Sequence, residues 1–311
     1  MLDLRNVENL AITGANGFVG RSITDRIANL DVDLLPKRIT LVTRTGLNYV
    51  IPRKLHSIVR VVTQDLTAEW HLPVEISHVI SLAADGSQQP YSELACEQFT
   101  QITRNLVTWL EKANRNVTIF HASSGACFGY KALSSGVQPP KVKQLFTENR
   151  LNAENYLKES QARIKFDLRI GRLFSFSGKN IMGKPQYAIS SFVSSAVKFG
   201  TIDVAGNPDT QRSYLHESSM SEWILEGLIN PYSYQDLQIG SSDVLTIREL
   251  ADFIAENTGS YVKYPSNPLA GDIYIPDNRD TLTKLGVVEG LSWREAVVEM
   301  ISIAKVYKDG S

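Results

Sequence analysis

The run Thr13-Gly14-Ala15-Asn16-Gly17-Phe18-Val19-Gly20 constrains this chain more than any other feature. It follows the short apolar stretch Leu10–Thr13 and leads into a segment where Val19, Ile23, Ile27 and Leu30 recur at helical spacing. A strand that turns through three glycines into a helix opens a parallel βαβ unit. Glycine serves there because a β-carbon would block the tight turn, the approach of a phosphate, or helix–strand packing. The first N–H groups of a helix have no partner inside it, and the aligned peptide dipoles make that end positive. A pyrophosphate answers both conditions. On this reading Gly14, Asn16, Gly17, Phe18, Val19 and Gly20 form a dinucleotide-binding loop.

The rest of the first half agrees. Strand-like runs at Ile39–Thr43, Val59–Thr63, His78–Leu82, Val117–Ala122 and Lys165–Leu173 alternate with helical patterns such as Phe99, Ile102, Leu106, Leu110 and Ala113. Several runs are almost continuously apolar, as strands covered on both faces should be. Strand–helix alternation implies an α/β fold with a Rossmann-type, doubly wound parallel sheet. After Gly178 the texture changes. Phe192, Val193, Ala196, Val197 and Phe199 suggest a helix, and Ser219–Glu222, Thr246–Glu249 and Ser292–Glu295 read as capping boxes. Strand-like pieces at Ile202–Ala205 and Leu237–Ile239 interrupt them. The expectation is a dinucleotide domain over 1–177 and a smaller, mainly helical substrate lobe over 178–311, with Leu237–Ile239 returning to the sheet. Lys131–Lys143 reads as a polar loop between sheet units.

Composition excludes several alternatives. A formal net charge of −1 over 311 residues carries no basic excess for nucleic acid or an acidic membrane. Two cysteines, Cys96 and Cys127, are too few for a disulfide framework or a thiolate cluster, and free thiols in a reducing cytoplasm are expected. The five histidines show no metal-ligand spacing. The first residues lack the basic-then-apolar order of a signal peptide, and no apolar run approaches the ~20 residues that span a bilayer.

The coenzyme is NADP or NAD. NAD sites usually place a carboxylate after the second strand to hold the ribose 2′-hydroxyl, whereas Arg at that place suits a 2′-phosphate. Here the strand ends Leu41-Val42-Thr43-Arg44, so Arg44 favours NADP.

Along nearly its whole length the chain resembles the extended short-chain dehydrogenase/reductase family, in particular its nucleotide-sugar epimerases and dehydratases. TGANGFVG resembles the opening TGxxGFxG, Gln64-Asp65-Leu66 the G-D-L/I step, and Ser81-Leu82-Ala83-Ala84 the H-L-A-A with Ser for His. His121 to Gly129 is similar to S-S-x-x-V-Y-G, Arg172 to Gly178 to R-x-x-N-V-Y-G, Gln211 to His216 to Q-R-D-F-V-H, and Asp277 to Gly286 to D-x-S-K-x-x-x-L-G. The resemblance implies that Asp65 and Leu66 meet the adenine and that Ala83 and Ala84 lie beside the cofactor. It places Ser124, Ser175 and Arg212 on the substrate, a nucleotide-activated sugar, in a cleft closed by the second lobe. It also implies a homodimer through the helices near Phe99–Ala113 and Leu151–Gln161.

The family's reaction needs a phenolic base: Tyr in a Tyr-x-x-x-Lys pattern, with the Lys one helical turn on favouring the phenolate, and a Ser or Thr holding the reacting oxygen. Ser124 fits the last role. No Tyr-x-x-x-Lys occurs in the chain. The matching segment reads Phe146-Thr147-Glu148-Asn149-Arg150-Leu151-Asn152-Ala153-Glu154, with Phe146 at the Tyr position, Arg150 at the Lys position and Glu154 supporting the register. Phe has no proton to exchange, and Arg keeps its charge with no phenol to tune. Three explanations stay open: Tyr130 or Tyr156 supplies the phenol; Glu148, His121 or a substrate-lobe residue does the acid–base work; or the reaction is lost and the ligand site kept. By resemblance Arg150 contacts the nicotinamide ribose.

His121, in an apolar strand, reads first as a satisfied core histidine. Arg212 is a candidate pyrophosphate contact, Arg279 a substitute phosphate anchor where Leu269-Ala270-Gly271-Asp272 lacks the family's Arg, and Tyr261, Tyr264 and Tyr274 read as core or rim. The leading expectation is an NAD(P)-dependent epimerase, dehydratase or ketoreductase on a nucleotide-activated sugar. The rival is a non-catalytic dinucleotide-binding protein of the same fold.

Overall fold

The computed structural model describes residues 2–84, 92–113, 115–128, 131–132 and 141–309. In chain order the strands are β1 (Leu10–Thr13), β2 (Ile39–Thr43), β3 (Val59–Thr63), β4 (His78–Ser81), β5 (Thr118–Ser124), β6 (Lys131–Ala132), β7 (Asp167–Leu173), β8 (Phe176–Ser177), β9 (Thr201–Asp203), β10 (Gln211–Ser213), β11 (Leu215–His216), β12 (Leu237–Ile239), β13 (Val244–Thr246), β14 (Tyr261–Lys263) and β15 (Asp272–Tyr274). The helices are α1 (Phe18–Ala28), α2 (Glu93–Ala113), α3 (Lys141–Ser160), α4 (Ala188–Phe199), α5 (Glu217–Ile229), α6 (Ile247–Thr258), α7 (Arg279–Leu285) and α8 (Trp293–Asp309).

A seven-stranded sheet runs in the order β12-β7-β5-β4-β1-β2-β3. The pairs β1–β2, β2–β3, β1–β4 and β4–β5 are parallel, with β1 between β2 and β4. Order reversal at β1 makes this a doubly wound Rossmann sheet, whose crevice for ligands lies at the carboxyl ends of the strands near the reversal. All residues of β1 and β2 are buried, which is why both read as unbroken apolar runs.

The chain forms two compact units. The first is Met1–Cys127, Pro140–Arg172 and Ser221–Leu237; the second is Phe128–Pro139, Leu173–Met220 and Gln238–Ser311. In the first, Leu106, Val107, Val117, Ile119, Leu157, Phe166, Leu168 and Ile170 form part of a core joining α2, α3 and the sheet. Phe120 fills the other side so tightly that a β-carbon on Gly171 would lie 2.2 Å from its ring. The second unit contains α4, α6, α7 and α8 with a four-stranded sheet, β13-β10-β15-β6.

Two of the three anticipated capping boxes form. Thr246 and Glu249 exchange bonds at the start of α6, and Ser292 and Glu295 at the start of α8. Ser219 instead lies inside α5 and accepts from the Gly290 N–H at 3.0 Å, because His216 Nδ1 already accepts from the Ser218 N–H and begins the helix earlier. Of Lys131–Lys143, expected as a loop, Lys131–Ala132 form β6, Lys141–Lys143 open α3, and 133–140 lie outside the described residues. No described helix is long and apolar enough to cross a membrane, and no group of His, Cys, Asp or Glu among the described residues could hold a metal. Cys96 and Cys127 are free thiols.

Candidate functional site

The glycine loop sits at the carboxyl end of β1. Gly14 has φ +67°, and a β-carbon there would lie 3.2 Å from the Ala83 backbone. At Gly20 it would lie 2.7 Å from Ala15 Cα and from the Gly14 carbonyl, so α1 can approach the strand only with glycine. Gly17 is the N-cap of α1 in extended conformation, with no side-chain cap and no acidic residue in the first turn. The N-cap residue therefore offers the positive helix end no carboxylate or hydroxyl of its own, the groups that normally satisfy it. Phe18 is buried and anchors the turn; Val19 is half-buried.

Thr13 closes this end of the sheet. Its Oγ1 accepts from the backbone N–H of Leu82 at 3.0 Å and of Ala83 at 3.1 Å. The loop after β4 is thereby held beside the glycine turn, with Ala83 half-buried and Ala84 exposed. Thr13 was not singled out in the sequence; its place as the last strand residue before the turn was the available signal.

Asn16 holds a neighbouring loop. Its Nδ2 donates to the Gly46 carbonyl at 2.6 Å, and its Oδ1 accepts from the Asn48 N–H at 3.1 Å. Arg44 begins that loop and is exposed. Asp65 is also exposed; the backbone N–H and then the hydroxyl of Thr67 hold its carboxyl below the usual range, with a smaller contribution from Arg44. Leu66 is buried, and its carbonyl accepts from Trp70 and Asn105.

The second cluster lies on β5, α2 and α3. Ser124 ends β5, and its hydroxyl accepts from the Ala126 N–H at 3.2 Å. Ser123 donates to Glu154 Oε1 at 2.6 Å, and Arg172 grips both oxygens of Glu154 at 3.0 and 2.7 Å. Burial alone would raise the Glu154 carboxyl, but the bonds from Arg172 and Ser123 outweigh it and hold the pKa below the ordinary value. Phe146 and Arg150 share one face of α3, four residues apart. The Arg150 guanidinium carbon lies 4.6 Å from the centre of the Phe146 ring and 3.3 Å from that of Phe99, on α2.

His121 is 1% exposed, and neither ring nitrogen has a hydrogen-bond partner among the described residues, so it is buried without being satisfied. Burial first, then Arg150, push its pKa down to about 4, and it is neutral near pH 7. Tyr156 packs against the core, Glu148 is exposed, and Tyr130 lies outside the described residues.

In the second unit, Arg212 Nη1 pairs with Asp272 at 2.6 Å and donates to the carbonyls of Gln211 and Asp272. Ser175 is half-buried, and its carbonyl accepts from the Leu215 N–H. Arg279 is exposed and paired with Asp277. Tyr261 is exposed, Tyr264 donates to Asp252, and Tyr274 donates to the Leu173 carbonyl.

A search of curated protein sequences finds no match. Among solved structures, MoeE5 in complex with UDP-glucose and NAD superposes with a TM-score of 0.77 at 20% identity, over 97% of this chain and 100% of that one. WbmF from Bordetella bronchiseptica in complex with NAD+ gives 0.77 at 17%, over 99% and 95%. UDP-N-acetylglucosamine 4-epimerase from Methanobrevibacter ruminantium M1, in complex with UDP-N-acetylmuramic acid, gives 0.77 at 18%, over 99% and 100%. These likenesses share the fold. The family model described as NAD dependent epimerase/dehydratase matches residues 10–240, from β1 past the last strand of the seven-stranded sheet, and the chain belongs to that family.

Proposed function

We propose that this protein binds a nicotinamide dinucleotide along Gly14–Gly20 and acts on a nucleotide-activated sugar as an epimerase, dehydratase or ketoreductase. The observation that carries the reading is the combination at the end of β1: glycines whose β-carbons would clash, an uncapped helix N-terminus, and Thr13 holding the Ala83 loop alongside. Backbone N–H groups of the turn bind the pyrophosphate, and Asp65 and Leu66 lie toward the adenine. The bound coenzyme supplies a hydride acceptor or donor. Ser124 orients the sugar oxygen, Arg150 holds the nicotinamide ribose, and Arg212 and Ser175 contact the substrate. Family description and neighbour titles name NAD and lend no support to the NADP preference drawn from Arg44. NAD is therefore the coenzyme proposed. By family resemblance α2 and α3 form a homodimer interface; the glycine loop belongs to the first compact unit, and Ser175 and Arg212, the proposed substrate contacts, belong to the second.

A second reading, binding without turnover, is favoured by one observation: Phe146 stands at the phenol position and lies against the Arg150 guanidinium. Incubation of the NAD-loaded protein with a panel of UDP- and dTDP-sugars, followed by nicotinamide absorbance and product mass, separates the two. Repeated turnover supports the enzyme; tight coenzyme binding with no product supports the binding protein. A chain that binds neither NAD nor NADP overturns both.

A further inference from the structure

Phe99 lies on α2, away in sequence from every motif that marks the site, and is 3% exposed. In space it is closer to Arg150 than Phe146 is: 3.3 Å from guanidinium carbon to ring centre, against 4.6 Å. Contact at that distance is face to face, and a desolvated cation over a ring is held more strongly than an exposed one. Stacking uses the π face of a guanidinium, whereas its five N–H donors lie in its plane. His121 lies 5.7 Å from the Phe99 ring and is neutral near pH 7, so it adds no second positive charge to this cluster.

We propose that Phe99 is a positioning residue of the coenzyme site: its ring fixes the plane of Arg150, so that the edge of a cation that cannot lose its proton faces the ribose of a bound dinucleotide. This rests on the reading that the coenzyme occupies the glycine loop. A planar, stacked guanidinium does by fixed geometry what a flexible ammonium in the same place does by charge alone.

The test is coenzyme affinity, read as NADH fluorescence and NAD calorimetry on the full chain. Phe99→Leu and Arg150→Lys should each weaken binding about tenfold, the scale of one desolvated cation–π contact. The double variant should bind within about twofold of the weaker single variant, because both changes remove one interaction. Phe99→Tyr, which keeps the ring, should restore affinity to within about twofold of wild type. Folded Phe99→Leu with wild-type affinity, effects that multiply in the double variant, or Arg150→Lys indistinguishable from wild type would each overturn the proposal. Should Phe99→Leu not fold, Arg150→Lys against Phe99→Tyr decides it. A wild-type chain that binds neither NAD nor NADH overturns the functional reading itself, and this inference with it; wild-type binding with no response to the variants overturns this inference alone.

Discussion

Ser123 donates its hydroxyl to Glu154 across 2.6 Å, joining the end of β5 to the middle of α3. Arg172 completes the group from β7, and Glu154 is 1% exposed. Removing Glu154 or Arg172 leaves the other charge without its partner, which typically costs about 3–5 kcal/mol. Glu154→Ala should therefore lower stability to urea by about that amount. Because the folded carboxyl is held below its unfolded value of 4.5, its contribution is present above that pH and is lost as pH falls through the folded value. Glu154→Gln should flatten the acid limb of the urea midpoint against pH; an unchanged limb would refute this.

His121 has the opposite chemistry but a similar direction. It is neutral when folded, with a pKa of about 4, and titrates near 6.5 when unfolded. As pH falls below 6.5, the unfolded chain takes up a proton that the folded chain refuses, so stability decreases until about pH 4 and is flat above 6.5. The expected loss is on the order of 3 kcal/mol. His78, also pushed down to about 4 by burial, acts over the same window. His121→Leu should remove about half of that pH dependence, and denaturation at pH 7 and pH 5 measures it.

The Thr13 hydroxyl satisfies two backbone donors, Leu82 and Ala83. Thr13→Val keeps the shape and removes the acceptor. A destabilisation of about 2 kcal/mol is expected, since each half-buried N–H left without a partner costs roughly 1–3 kcal/mol. Coenzyme affinity should fall as well, because the Ala83 loop loses its tie. Chemical denaturation and NADH titration on one variant check both.

Gly20→Val should do more damage than Gly14→Ala. Any β-carbon at Gly20 meets backbone at 2.7 Å, whereas at Gly14 the nearest contact is 3.2 Å and the further obstacle is the positive φ. A left-handed non-glycine residue costs roughly 1–2 kcal/mol, so Gly14→Ala should fold with weakened coenzyme binding. Soluble yield and melting temperature should rank wild type, Gly14→Ala, Gly20→Val; the reverse order of the two variants would contradict the geometry.

Coenzyme choice turns on Arg44. With NAD as the coenzyme, Arg44→Ala should leave NAD affinity within about twofold, because no 2′-phosphate is there to lose a charge-assisted bond. If NADP were preferred, the same change should weaken NADP by about tenfold or more. Parallel titrations with both coenzymes distinguish the outcomes.

Much of this was legible in the residues, and the exceptions have physical reasons. β1, β2 and β3 have the bounds their apolar runs announce. β4 stops at Ser81, one residue short, because the Leu82 N–H turns to Thr13 instead of continuing the ladder, a contact 69 residues away that no local pattern carries. β5 runs on to Ser124, past the expected Ala122, because its last two residues are polar and carry no apolar signal: Ser123 bonds Glu154 on α3, and Ser124 accepts from the Ala126 N–H. Asn16 reads as a coenzyme residue by position, yet its amide holds Gly46 and Asn48. Phe99 was hidden because an aromatic at helical spacing is ordinary core; only the fold brings it to Arg150.

The first compact unit is assembled from three separate stretches, the last being Ser221–Leu237. The Phe120 ring packs against Gly227 in that last stretch, where a β-carbon would lie 3.0 Å from it. A ribosome must therefore have released nearly three quarters of the polypeptide before the middle of the sheet can be shut away from water. Cutting the gene after the codon for Arg172 would give a product with an aromatic ring laid bare, a candidate for chaperone capture and not a free-standing coenzyme module.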